Sequence, residues 1–133
     1  MTEQNAYQVK LADDYDTAVE KITAALKENG FGVLTRVDVK ATLKEKIGED
    51  FRPYLIMGIC NPKLAHKAVE SDPLMGLFLP CKVTVEQVDD GTLISILNPR
   101  YMMQLPQFAD NPALLEVSAK AGELLRKAAE SLT

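Results

Sequence analysis

The stretch Tyr54-Leu55-Ile56-Met57-Gly58-Ile59-Cys60-Asn61-Pro62 decides how the rest of the chain is read. Seven residues from Tyr54 to Cys60 form a nearly continuous apolar run, the pattern of a central strand buried on both faces. Asn61 then offers an N-cap side chain, and proline at 62 suits the first helical position, where an N–H is not needed. A strand therefore runs directly into a helix that buries Leu64, Ala65, Ala68 and Val69 and ends at Asp72-Pro73.

Upstream, Tyr7, Val9 and Leu11 alternate as a short strand. Asp13, Asp14 and Asp16 offer cap oxygens and favourable charge for a helix carrying Tyr15, Ala18, Val19, Ile22, Ala25 and Leu26, which Gly30 stops. Phe31, Val33, Thr35 and Val37 define a second strand. Asp38 caps a shorter helix with Val39, Leu43 and Ile47, ended by Gly48. Downstream, Val83 and Val85 begin another strand, and Asp90-Gly91 marks a hairpin into Thr92 to Leu97. Asn111-Pro112 starts a last helix, with Leu114, Val117, Ala121, Leu124, Leu125 and Ala128 on one stripe.

The expected fold is α+β: a two-layer sandwich of one five-stranded, mainly antiparallel or mixed sheet with helices on one face. At 133 residues the chain suits a single domain, 1–133, with one core. The second sheet face needs a cover, which the apolar loops 74–79 and 101–108 could supply, alone or with a second subunit.

Composition narrows the function. The net charge is −4 and the 15 Lys and Arg are scattered, which argues against nucleic acid as partner. The local cluster Lys40, Lys44 and Lys46 reads as a solvated helix face. No apolar run reaches the roughly 18 residues of a membrane span, and the polar Met1 to Asn5 is not a secretory signal. Two cysteines do not make a disulfide scaffold, so a cytoplasmic location with reduced thiols is expected. There is no Gly-rich phosphate loop, no Ser-His-Asp set and no His-rich metal motif.

Chemistry rests on the two cysteines. Cys60 precedes the helix cap, where the helix dipole favours a thiolate as nucleophile, sulfur carrier or soft metal ligand. The same position also suits a cysteine that packs as a small hydrophobe. Cys81 follows Pro80 and opens a strand. If that strand lies beside the one ending at Cys60, the sulfurs can act together in redox or metal chemistry, although only geometry decides a disulfide. His66, the one histidine, adds a weak third candidate for a soft metal or haem site. Cys60-x5-His66 is not a usual zinc spacing, and an exposed pair with Glu70 is the alternative. Tyr54, Met57, Met75, Phe78, Tyr101, Met102, Met103 and Phe108 supply soft apolar surface for a ligand or for core and dimer packing.

The motifs Cys60-Asn61-Pro62, Leu64-Ala65, Asp72-Pro73, Gly76, Leu79-Pro80-Cys81, Asp90-Gly91 and Asn98-Pro99, in this order and spacing, resemble the bacterial and archaeal domain-of-unknown-function family 302. The likeness covers nearly the whole chain and implies a small α/β fold and homodimerisation, with no assigned activity. Together these readings point to a non-catalytic, homodimeric binding module. Its small-molecule ligand would sit in an apolar pocket near Cys60, with Asn61, Cys81, Tyr101, Met102 and Met103 as candidate site residues. A thiol-based sulfur carrier or redox sensor using Cys60 with Cys81, and a soft-metal or haem binder, remain as alternatives.

Overall fold

The computed structural model describes residues 2–3 and 5–133; Met1 and Gln4, within the polar N-terminal stretch, lie outside the described residues. The strands are β1 (Thr2–Glu3), β2 (Ala6–Leu11), β3 (Gly32–Asp38), β4 (Tyr54–Cys60), β5 (Cys81–Val88) and β6 (Gly91–Leu97). The helices are α1 (Tyr15–Glu28), α2 (Val39–Ile47), α3 (Pro62–Ser71), the single turn α4 (Pro106–Ala109) and α5 (Pro112–Glu130). Two 3-10 turns, Pro73–Leu77 and Pro99–Gln104, complete the chain.

The strands form one sheet in the order β1-β2-β6-β5-β4-β3, and every neighbouring pair is antiparallel. The α+β expectation holds: five full strands build the sheet, and the two-residue β1 extends one edge. Cross-strand register lines up apolar rows on one face. Tyr7, Ile96, Val83 and Met57 make one row; Val9, Ile94, Val85 and Leu55 make the next. Because strand side chains alternate between faces, these residues all point the same way. Ala18, Ile22, Ala25 and Leu26 of α1, with Ala121, Leu125, Ala128 and Ala129 of α5, close over them as the main core. Each fully buried large aliphatic contributes about 1.5–3 kcal/mol relative to exposure.

Local sequence accounts for the element ends. Asp14, Asp38, Asn61 and Asn111 each cap a helix, their side-chain oxygens accepting the backbone N–H three residues on. The β5–β6 turn rests on Asp89 and Asp90, one residue earlier than the Asp90-Gly91 expected, because Val88 pairs with Gly91. Gly91 takes a φ of 153°, and a Cβ there would overlap the carbonyl oxygen of Leu11. Only glycine fits without a shift.

Three expectations need correction. Strand β4 is not buried evenly on both faces: Leu55, Met57 and Ile59 are buried, whereas Tyr54, Ile56 and Cys60 are half-buried. This follows from the antiparallel sheet, whose helix layer lies over one face. Val69 of α3 is 39% exposed rather than buried, since α3 packs mainly along α5 and not on the sheet. The apolar loops do not serve as a cover for the second sheet face. Met75, Met102 and Phe108 turn inward to form a second cluster with Ala68 of α3 and Leu114 of α5. Phe78 meets Phe108 edge-on at 5.3 Å, a favourable aromatic geometry.

Candidate functional site

The two clusters leave a cavity of about 280 Å³ where the sheet end, α3, α5 and the two 3-10 turns meet. The β4-to-α3 junction builds one wall. Cys60 ends β4, and Asn61, in extended backbone, turns the chain into α3. Its Oδ1 accepts the Leu64 N–H at 3.2 Å. The turn after α1 comes close behind it: Gly30 has φ 84°, and a Cβ there would stand 2.9 Å from Asn61 Nδ2. Ser71 and Asn111 tie the far ends together, the Ser71 hydroxyl and the Asn111 amide exchanging hydrogen bonds at 3.0 and 2.7 Å.

Cys81 begins β5 opposite Ile59, so register brings it one residue from Cys60 across the ladder. Both thiols are free and both line the cavity. Cys60 is half-buried and Cys81 is buried. Burial, and then the neighbouring Cys60, push the Cys81 thiol up to about 11, with Lys82 opposing them. Cys81 is therefore a protonated thiol at neutral pH.

Of the residues singled out in sequence, Cys60, Asn61, Cys81, Met102 and Met103 share this cavity. Tyr101 is 45% exposed and does not line it, because it sits on the outer side of its 3-10 turn while Met102 points in. His66 is also not on the lining; it lies on the outer face of α3, its Nε2 3.0 Å from Glu70 Oε2, the exposed pair offered as the alternative to metal ligation. Among the described residues, no three His, Cys, Asp or Glu side chains gather as a metal cluster.

Sequence reasoning did not find the α5 wall, made by Leu114, Val117, Ser118 and Ala121. A signal for it was present. Ala65 and Ala68 on α3, and Ser118 and Ala121 on α5, are small residues on two stripes, and where such stripes face each other they leave room between helices. Phe31, Leu34, Met75 and Pro99 complete much of the remaining lining. Leu34, 64% exposed, marks the mouth. The lining is almost wholly apolar. The two polar side chains among these residues are engaged with backbone: Asn61 as above, and Ser118, whose hydroxyl donates to the Leu115 carbonyl at 3.0 Å.

With this geometry in hand, the chain can be placed. The family model for the domain of unknown function DUF302 matches residues 7–132, and the chain belongs to that family. A crystal structure of an uncharacterized conserved DUF302 protein from Bacillus stearothermophilus is similar to it at 30% sequence identity and a TM-score of 0.84. The match covers 96% of this chain and 98% of that one. No curated protein matches the chain. No helix among the described residues is long and apolar enough to cross a membrane.

Proposed function

We propose that this protein is a non-catalytic binding module that holds a compact, largely uncharged molecule in the cavity beside Cys60. The observation that carries the reading is the cavity itself: about 280 Å³, walled by aliphatic, proline and sulfur-bearing side chains. An engineered apolar cavity of about 150 Å³ stays dry and takes up benzene. A site roughly twice that size suits a ligand somewhat larger than benzene. The engaged Asn61 and Ser118 side chains offer few free polar contacts, so affinity would come from apolar burial.

The working unit is a homodimer in a reducing, cytoplasmic setting. Supporting the dimer are Leu34, Val37, Leu74, Leu77 and Tyr101, large apolar groups that stay exposed on the single chain, and the long outer strand β3, whose edge is open to pairing.

Native mass spectrometry of freshly purified protein tests both parts. The expected spectrum shows a dimer and a retained small organic mass. Ala68→Leu, which fills the cavity from α3, should remove that mass while leaving the dimer. If the wild-type protein neither retains a mass nor binds neutral aromatic probes such as indole, the binding reading is wrong. A monomer at micromolar concentration overturns the dimer.

One observation favours a second reading. Two free thiols line the same cavity, and Cys60 is close enough to oppose ionisation of Cys81. A sulfur-carrying or redox role for Cys60, with Cys81 as resolving thiol, would show in the same spectrum as a persulfide or mixed-disulfide adduct on Cys60.

A further inference from the structure

Both cysteines and three of the five methionines line one cavity: Cys60, Cys81, Met75, Met102 and Met103. They come from four separate segments of chain, the end of β4, the start of β5 and the two 3-10 turns, so sequence proximity alone does not explain their gathering. Met57, by contrast, is consumed by the main core. The donor set is one-sided. The lining holds no carboxylate and no imidazole, and its side-chain oxygens, on Asn61 and Ser118, are engaged in helix hydrogen bonds.

We propose that this cavity is a binding site for a single cuprous ion held by sulfur, with Cys60 and Cys81 supplying thiolate and the methionines supplying thioether. Soft thiolate and thioether ligands select Cu(I), whereas hard cations need oxygen. Zinc wants four ligands from Cys, His and carboxylate, and no three such groups gather here among the described residues. Charge also fits. Two thiolates with one Cu(I) leave a single net negative charge, so the ion offsets part of the cost that two bare thiolates would meet against an apolar wall. Each thiol that coordinates releases one proton to solvent, and the copper keeps its oxidation state throughout. Thioethers carry no charge and complete the shell without disturbing that balance. The inference rests on the cavity being open to ligands, as the binding-module reading does, but names a different class of occupant.

The test uses the reduced, metal-free full-length chain under anaerobic conditions, titrated with Cu(I) against the chelator bicinchoninate. One equivalent of Cu(I) per chain should resist the chelator, and X-ray absorption should show a sulfur-only shell. Cys60→Ala should weaken retention by more than about 100-fold, beyond the 10–100-fold that losing a supporting contact costs. The triple variant Met75→Leu, Met102→Leu, Met103→Leu keeps the cavity volume nearly unchanged. It should weaken Cu(I) at least about tenfold while indole binding stays the same. Circular dichroism confirms that each variant is folded; if one of the two does not fold, the other still decides. The proposal falls if the chelator strips all copper, if the shell contains nitrogen or oxygen, or if Cu(I) affinity ignores Cys60. Indole binding without copper retention overturns this inference alone. Failure to bind either means the cavity is closed, and both readings fall.

Discussion

The two thiols share a cavity but should differ sharply in reactivity, and alkylation of the metal-free, reduced protein measures the difference. Cys81 is pushed from 9.0 up to about 11, by burial first and by Cys60 second. At pH 8 that leaves about one Cys81 in a thousand ionised, against about one in ten for a thiol at 9.0, a factor of roughly 100 in the reactive thiolate. Steric access adds to this, since Cys81 is 7% exposed and its thiol faces the core side of the sheet. Cys60, at the strand end and half-buried, lacks that shielding. Iodoacetamide at pH 8, followed by mass spectrometry of proteolytic fragments, should show Cys81 modified at least about 100-fold more slowly in the folded protein than in urea, and more slowly than the less shielded Cys60. Raising the pH should speed Cys81 about tenfold per unit until near pH 11. In urea the two rates should converge. Equal rates in the folded protein would refute the placement of Cys81 as a desolvated thiol.

The same shift sets a pH dependence of stability. The folded-state value lies above the unfolded one, so the folded chain binds the proton more tightly. The resulting stability is complete below about pH 9 and is lost as pH rises through 11, amounting to roughly 2–3 kcal/mol in full. Urea midpoints from pH 8 to 10.5 should fall in the wild type and change less in Cys81→Ala; parallel curves would refute it. Asn61→Ala removes the α3 cap and should cost about 1 kcal/mol, seen as a fall of about 4 °C in Tm. Gly91→Ala forces a Cβ onto the Leu11 carbonyl and should cost at least about 1–3 kcal/mol; an unchanged denaturation midpoint would show that the β5–β6 turn is built differently.

Local chemistry made much of the fold legible. The bounds of α2 and β4 follow from Asp38, Gly48 and the Tyr54 to Cys60 run, and the starts of α3 and α5 follow from Asn-Pro pairs. These signals act within a few residues: a cap oxygen on a nearby N–H, a proline ring in the first turn, a side-chain period of two or 3.6. The sequence also placed Cys60 correctly at a strand-to-helix junction. The short elements that begin at Pro73, Pro99 and Pro106 were not legible, because four to six residues are too few to display a period.

What the residues could not decide by themselves is who faces whom. Only the antiparallel register sets Cys81 against Ile59 and so beside Cys60. Only the packing of α3 along α5 turns two runs of small residues into a cavity wall. The loops at 74–79 and 101–108 read in sequence as a cover for the open sheet face, yet they fold against Ala68 and Leu114 instead. Periodicity tells a helix or strand which of its own faces is apolar, and it is silent about which partner will bury that face. Hydrophobic attraction has no direction, so the partner is selected by shape and chain connectivity, which exist only once the whole chain has folded.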